Sequence, residues 1–123
     1  MFYFGSRSEK NLTGVNPELV KVVRRALEIS ELDFAITEGF RSKERQKMLV
    51  KIGASQTMNS KHLTGNAVDL AAYYQGAICW DWPLYAKLAD AMKQAAYELD
   101  VAIVWGGDWK TFKDGCHFQV SNG

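Results

Sequence analysis

The sequence has few of the features that mark a disulfide scaffold, a fibrous repeat or a nucleic-acid binder. Its 123 residues include only two cysteines and two prolines, and the formal net charge is +1. Basic and acidic residues are scattered and nearly equal in number, so the basic surface of a phosphate-backbone binder is missing. We therefore predict a globular protein without a nucleic-acid partner.

The chain also lacks a long hydrophobic run. No apolar stretch approaches the ~20 residues that cross a bilayer, and the amino-terminal MFYFGSRSEKN turns polar too early for a secretion signal. We expect synthesis in the cytoplasm and no membrane partner. In that compartment Cys79 and Cys116 are expected to remain free thiols.

Hydrophobic periodicity and capping residues predict one domain spanning residues 1–123. NPELVKVVRRALEIS predicts an amphipathic helix with Asn16 as N-cap and Pro17 at its first position. Ser42 is expected to cap a second helix that stops at Gly53. The longest helix is predicted in WDWPLYAKLADAMKQAAYELD, where apolar residues follow one helical face.

Short β-branched and aromatic segments predict the strands, which are DFAITEGF, NAVDLAA, VAIVWGGDW and CHFQVSN. The order of helices and strands alone leaves α/β and α+β folds open. Polar residues on one face of NAVDLAA and HFQV favour an antiparallel sheet with one side open to a cleft. We therefore predict an α+β fold, a small antiparallel sheet flanked by about three helices.

A charged residue lies inside one of these apolar strands, in the stretch NSKHLTGNAVDLAAY. Strand alternation places Asp69 on the face of Ala67 and Ala71, away from Val68 and Leu70. An unpaired carboxylate in a dry interior is costly and needs a partner. The strand pattern alone leaves an ion pair and a metal ligand equally open.

Both histidines of the chain can reach the same region. Gly65 can supply a sharp turn that folds His62 back over the start of the Asp69 strand. His117 opens the last strand and shares a face with Gln119. A single histidine near a glycine turn is more often a surface or hydrogen-bonded residue than a metal ligand. With Asp69, however, they make a set of three ligands, which is typical of a catalytic zinc site that keeps one position for water.

Two motifs carry a resemblance to a known family. SKHLTGNAVD fits the pattern S-x-H-x-x-G-x-A-x-D, and DGCH places an acid three residues before a histidine. Together they resemble the D-Ala-D-Ala carboxypeptidase and L-alanyl-D-glutamate endopeptidase family of zinc peptidases. SRSEKNLTGVNPEL, GFRSKERQ and WGGDWKTFKDGCHFQ are similar to its phage endolysin branch. The likeness implies a hedgehog/DD-peptidase-like fold, with a single catalytic domain and no separate cell-wall-binding domain.

The resemblance implies roles for four residues. His62, Asp69 and His117 correspond to the zinc ligands, and Asp114 corresponds to the catalytic carboxylate. Many relatives have glutamate at the position of Asp114, so the shorter side chain here has about one methylene less reach toward the attacking water.

Further residues are expected to line the site. Arg41 corresponds to the family's substrate-facing arginine and is expected to assist catalysis, and Ser60 opens the first motif. Trp109 is expected to contact substrate, and Asp108 to orient a ligand histidine through its second ring nitrogen. Cys116 is expected to be buried and inert, pointing away from the site because it neighbours His117 in a strand.

The resemblance implies hydrolysis of the L-alanyl-D-glutamate bond in peptidoglycan stem peptides. Two alternatives remain, a D-Ala-D-Ala carboxypeptidase and a zinc-stabilised wall-binding module without activity. The implied setting is a monomer made in the host cytoplasm, which reaches the wall after a holin-type protein permeabilises the membrane.

Overall fold

Helices and one antiparallel sheet make up the structure, a computed structural model that describes residues 2–54 and 60–121. Within these residues the helices are α1 (Ser6–Asn11), α2 (Pro17–Ile29), α3 (Lys43–Lys51) and α4 (Trp82–Leu99). The strands are β1 (Phe34–Glu38), β2 (Ala67–Tyr74), β3 (Ala77–Cys79), β4 (Ile103–Trp105) and β5 (His117–Val120), and 3-10 turns cover Lys61–Thr64 and Gly106–Asp108. The α+β prediction is confirmed, while Asn122, the end of the predicted last strand, lies outside the described residues.

The predicted capping residues begin the predicted helices. The side chain of Asn16 accepts the N–H of Glu18 at 2.9 Å, and Ser42 accepts the N–H of Arg45 at 3.1 Å. Helix α1 was not predicted, since it is only six residues long and Gly5 provides no side-chain cap. Among the described residues, no helix has both the length and the hydrophobicity needed to cross a bilayer.

The sheet has the strand order β1-β2-β5-β4, and β3 pairs with the far end of β2. All pairings are antiparallel. Strand β3 was not predicted. It follows a two-residue turn at Gln75 and Gly76, both with positive φ (54° and 84°), as hairpin turns of type I′ require. Glutamine is unusual at such a position, so this hairpin is not evident from residue preferences.

The two faces of β2 differ as predicted. Val68 and Leu70 are fully buried in the hydrophobic core, which α2 and α4 cover. Asp69 lies between the buried alanines Ala67 and Ala71 on the other face. The small side chains there leave space, so this face of the sheet forms the floor of a cleft.

Gly65 makes the turn that brings the first motif onto the sheet. Its φ is +75°, and its carbonyl accepts the N–H of Asn16 at 2.8 Å. A Cβ atom added at Gly65 would lie 2.4 Å from the carbonyl oxygen of Gly14. The turn therefore needs glycine both for its backbone conformation and for its close approach to the loop before α2.

Substitution of this glycine should destabilise the protein more than substitution of a matched glycine in open space. Gly76 has a similar φ of +84° but no atom within 4 Å of an added Cβ. We expect Gly76→Ala to cost about 1–2 kcal/mol for the left-handed backbone alone. Gly65→Ala should cost a further ~1–3 kcal/mol because the neighbouring loop must move. Urea unfolding measures both, and equal losses would contradict the proposed close packing.

Candidate metal centre and active site

Two imidazoles and a carboxylate meet on the open face of the sheet. Oδ1 of Asp69 lies 3.3 Å from Nε2 of His62 and 3.3 Å from Nδ1 of His117. All three ligand atoms lie within 4.8 Å of one another, and the two histidine rings meet edge to face. The structure therefore brings together the three residues that the sequence singled out.

Strand register and a short 3-10 turn produce this convergence. Asp69 on β2 stands directly opposite His117 on β5, so their side chains leave the same face of the sheet. The hydroxyl of Ser60 accepts the N–H of His62 at 3.2 Å at the start of the 3-10 turn, which ends at Gly65. This turn sets His62 over the sheet.

The second nitrogen of each histidine has its own partner. Nδ1 of His62 donates to the carbonyl oxygen of Gly39 at 2.8 Å, so the neutral ring presents a lone pair at Nε2. Nε2 of His117 lies 2.8 Å from Oε1 of Gln119, which leaves the lone pair of Nδ1 facing Asp69. Such partners fix the tautomers of metal-binding histidines.

The buried oxygen of Asp69 shows that this group of residues fits a cation. Oδ1 is buried and makes no hydrogen bond to the described protein, although two nitrogen lone pairs face it. Three acceptors directed at one point repel one another unless a positive charge lies between them. Two imidazole nitrogens and one carboxylate oxygen are donors that Zn²⁺ commonly binds.

The electrostatics of the site favour positive charge beside Asp69. Burial alone would raise the pKa of Asp69, but positive charge on the neighbouring imidazoles of His117 and His62 holds it well below its usual range. Burial likewise would lower the pKa of His117, yet the Asp69 carboxylate raises it above the ordinary value of 6.5. The carboxylate of Asp69 therefore favours a positively charged group beside it, either a protonated His117 or a cation.

Arg41 holds the other oxygen of Asp69. Its side chain is only 9% exposed, and Nη2 lies 3.9 Å from Oδ2 of Asp69. Nε donates to Glu38 at 2.9 Å and Nη1 donates to Gln46 at 2.8 Å. Neither Glu38 nor Gln46 was predicted. Glu38 could have been found from its place opposite Asp69 in the sheet, but only once the register was known.

Asp114 lies beside the metal centre on a tightly held turn. Its carboxylate, that of Asp69 and the thiol of Cys116 offer ligand atoms within 4.8 Å of one another. The indole N–H of Trp105 donates to the carbonyl oxygen of Gly115 at 2.7 Å. The backbone N–H of Asp114 donates to the carbonyl oxygen of Gly106 at 3.1 Å. Trp105 is thus a buried residue that anchors this turn.

A cleft of about 610 Å³ surrounds these groups. Of the predicted residues, the cleft is lined by His62, Asp69, His117, Asp114, Arg41, Ser60 and Trp109. The ring of Trp109 lies 5.1 Å from that of His117. Among the lining residues that were not predicted, Glu38, Arg45 and Lys61 are charged, and Arg45 pairs with Glu38.

The structure does not bring Asp108 to the site. Its exposed carboxylate accepts from Nζ of Lys93 at 2.8 Å. The second ring nitrogens of His62 and His117 lie against Gly39 and Gln119, which take the role expected of Asp108. The 3-10 turn Gly106–Asp108 directs the Asp108 carboxylate to Lys93 on α4 instead.

The prediction for Cys116 is wrong in its orientation. Cys116 lies in the turn before β5, where strand alternation does not apply, and its thiol donates to Oδ1 of Asp114 at 3.0 Å. It is half-buried rather than buried. Burial and the nearby carboxylates of Asp69 and Asp114 raise the pKa of the thiol, so it stays protonated. Cys79 and Cys116 are both free.

The fold is shared with a peptidase of known structure. The vancomycin-resistance D,D-dipeptidase VanXYg, solved with a phosphinate analogue of D-Ala-D-Ala, shares the fold with a TM-score of 0.58. Its sequence identity is 20%, over 86% of this chain and 50% of that one. The hedgehog/DD-peptidase-like architecture predicted from the sequence is therefore confirmed.

Comparisons at higher identity give the family. A sequence profile of the phage L-alanyl-D-glutamate peptidases matches residues 1–119. The L-alanyl-D-glutamate peptidase of Escherichia phage T5 is 40% identical over 126 aligned residues, which cover 99% of this chain and 91% of that protein. The crystal structure of the Serratia marcescens L-Ala D-Glu endopeptidase ChiX superposes with a TM-score of 0.90 at 48% identity, covering 97% of this chain and 90% of that one. The chain belongs to the phage L-alanyl-D-glutamate peptidase family.

The raised pKa of His117 predicts how Zn²⁺ affinity depends on pH. Below that pKa the metal-free protein carries a proton on His117, which must leave when the cation binds. We expect the apparent affinity to fall as pH drops through this pKa and to level off above it. Competition with a chromophoric chelator between about pH 5.5 and 8.5 measures the change, and a constant affinity would contradict it.

Asp69→Asn provides the matched test of the site itself. Without the negative charge of the carboxylate, Zn²⁺ affinity should fall by more than the ~10–100-fold typical of losing a ligand's outer hydrogen-bond partner. Asp108→Asn removes the same charge from an exposed position and should leave the affinity unchanged. Equal affinities in the two variants would exclude Asp69 as a ligand.

Proposed function

We propose that this protein is a zinc-dependent peptidoglycan endopeptidase that hydrolyses the L-alanyl-D-glutamate bond of stem peptides. The observation that carries the proposal is the meeting of His62, His117 and an unbonded oxygen of Asp69 beside Asp114, at the floor of a cleft. Family membership supports it, since the T5 and Serratia proteins are named for this bond.

His62, Asp69 and His117 would hold the metal. When bound, Zn²⁺ supplies a Lewis acid that polarises a carbonyl and lowers the pKa of water toward about 7. Asp69 would offer Oδ1 to the metal, since Oδ2 forms an ion pair with Arg41 at 3.9 Å. The acceptors Gly39 and Gln119 keep both histidines in the tautomers that the centre needs.

Asp114 is proposed as the general base. It accepts a proton from the attacking water and returns it to the departing amine of D-glutamate. This role requires a carboxylate near both the metal centre and the substrate, and Asp114 lines the same cleft as the three ligands. The anchored turn supports it, because a short aspartate has little freedom to correct a displaced backbone.

Arg41 is proposed to stabilise negative charge on the substrate. Its guanidinium is held on three sides, by Glu38, Gln46 and Asp69, so it needs no reorganisation when charge develops. Ser60 and Trp109 line the cleft with it and are proposed to contact the stem peptide.

Digestion of purified peptidoglycan tests the proposed bond. Mass spectrometry of the products should find new amino termini at D-glutamate, because that amine is released when the bond after L-alanine breaks. Chelation should abolish the reaction and Zn²⁺ should restore it. Release of free D-alanine instead would indicate the carboxypeptidase, and no release would indicate a binding module.

Asp114→Asn should separate chemistry from metal binding. We expect kcat to fall by about 10²–10⁴-fold, the usual contribution of a positioned acid or base, while the Zn²⁺ content stays at one per chain. Asp108→Asn, on the same connection between β4 and β5, should retain full activity. An Asp114→Asn protein that holds Zn²⁺ and cleaves at the normal rate would overturn the role of Asp114.

Trp105→Phe should show whether the turn must be anchored. The ring is largely preserved, but the N–H that donates to Gly115 is lost. Since a positioned base contributes through its geometry, we expect kcat to fall about tenfold, with KM and Zn²⁺ content nearly unchanged. An unchanged kcat would show that packing alone holds Asp114.

A further inference from the structure

A second groove borders the turn that carries Asp114. Two indoles beside it are exposed, Trp80 before α4 by 63% and Trp82 at the first position of α4 by 47%, and the exposed Asp81 lies between them in the sequence. The groove has a volume of about 150 Å³ and is lined by Trp80, Trp82, Tyr85, Asp114, Gly115 and Cys116.

The aromatic walls of this groove are fixed. Trp80 stacks on Tyr85 with ring centroids 5.9 Å apart and planes 5° from parallel. The hydroxyl of Tyr85 donates to the carbonyl oxygen of Cys79 at 2.9 Å and accepts the N–H of Ala72 at 3.0 Å. Trp82 packs against Trp105. The outer indole surfaces are therefore presented to solvent in a set orientation, as exposed apolar patches at ligand sites often are.

The groove is continuous with the metal cleft through one turn. Asp114 lines both, while Gly115 and Cys116, the next two residues, line the groove. The ring of Trp82 lies against Gly115, where an added Cβ would be 3.0 Å from it. A polymer whose scissile bond reaches Asp114 can therefore extend over this turn into the groove.

The chemistry of the proposed substrate limits what lies so close to the bond. In peptidoglycan the amino group of L-alanine is joined to the lactyl ether of muramic acid, so one residue, at most about 3.6 Å long, and a lactyl group separate the scissile carbonyl from a sugar ring. A sugar ring offers an apolar C–H face for packing on an indole and hydroxyls at its edge. Asp81, whose side chain makes no capping bond to α4, can accept such a hydroxyl in a charge-assisted bond.

Charge favours the sugar over the rest of the stem peptide. Among the described residues Asp114 lines the groove and no cation does, whereas Arg41, Arg45 and Lys61 line the metal cleft together with Glu38, which pairs with both arginines. D-Glutamate and the residues beyond it carry free carboxylates, for which the cleft offers cations and the groove offers none.

We propose that the groove between Trp80 and Trp82, with Asp81, binds the N-acetylmuramic acid that carries the stem peptide. This inference rests on the proposed endopeptidase function and names the part of the substrate that lies before the scissile bond. It assigns to these three residues the selection of glycan-linked stems over free peptides.

Two substrates that differ only in the sugar test the proposal. One is a disaccharide-tetrapeptide from peptidoglycan, and the other is the same tetrapeptide with a lactyl group on its L-alanine. For Trp80→Ala we expect kcat/KM on the first substrate to fall about fivefold to tenfold, as loss of an aromatic contact does, and kcat/KM on the second to stay unchanged. Asp81→Asn should give the same pattern more weakly.

Tyr97→Ala is the matched control, because it removes an aromatic ring that is 84% exposed on α4 and lines none of these clefts. It should leave both substrates unaffected. Equal losses on the two substrates would assign the groove to the peptide and overturn the proposal, as would no loss on either. Should Trp80→Ala fail to fold, Asp81→Asn decides by the same criteria.

Failure of the proposed function remains distinguishable from failure of the groove. A wild-type protein that cleaves neither substrate contradicts the endopeptidase assignment. Sugar binding is measured separately by titrating the peptide-free GlcNAc–MurNAc disaccharide into the intact protein and following the indole N–H signals by NMR. Shifts at Trp80 and Trp82 support the groove, and their absence at millimolar disaccharide overturns it.

Discussion

The structure depends on one electrostatic constraint, the burial of an Asp69 oxygen between two imidazole lone pairs. Oδ1 has no hydrogen bond from the described protein. Because the other nitrogen of each ring donates to the carbonyl oxygen of Gly39 or to Gln119, both nitrogens that face Oδ1 are acceptors. A buried carboxylate without compensation is costly, so this arrangement is stable only with a positive charge at its centre. A proton on His117 can supply the charge, and a divalent cation supplies more of it.

The sheet makes this constraint compatible with a hydrophobic core. Alternate residues of β2 point to opposite faces, so Val68 and Leu70 pack under α2 and α4 while Asp69 faces the cleft. On both sides of Asp69 the cross-strand neighbours are polar, with Glu38 on β1 and His117 on β5. The two histidines and Arg41 therefore interact with Asp69 on the cleft side of the sheet. The side that packs against the core needs no polar group.

Strand alternation and capping chemistry predicted the local parts of this arrangement. They predicted that Asp69 faces away from Val68 and Leu70, that His117 and Gln119 share one face of their strand, and where α2 and α3 begin. The pattern alone left an ion pair and a metal ligand open for Asp69, and only the resemblance of the two motifs favoured zinc. Local patterns indicate which way a side chain points but not what it meets.

The missed features all depend on contacts distant in sequence or on unusual turns. Gly39 meets His62 because its Cα packs against the end of α1, with only 1.9 Å between an added Cβ and the carbonyl oxygen of Asn11. Lys93, on α4, takes Asp108 away from the histidines. The β3 hairpin turns at Gln75, a residue that seldom adopts positive φ. No propensity in the sequence encodes these contacts.

The turn from Asp114 to Cys116 links the chemistry to the direction in which a substrate lies. Its backbone is fixed by the N–H of Trp105 and by close contact with Gly106, where an added Cβ would lie 2.3 Å from the carbonyl oxygen of Asp114. Asp114 lines both the cleft, where Arg41, Arg45 and Lys61 supply cations, and the groove, which has exposed indoles and no lining cation among the described residues. A stem peptide is anionic beyond its scissile bond and joined to a neutral sugar before it. In the proposed complex these differences favour one orientation of the substrate, with the departing amine toward the cations of the cleft.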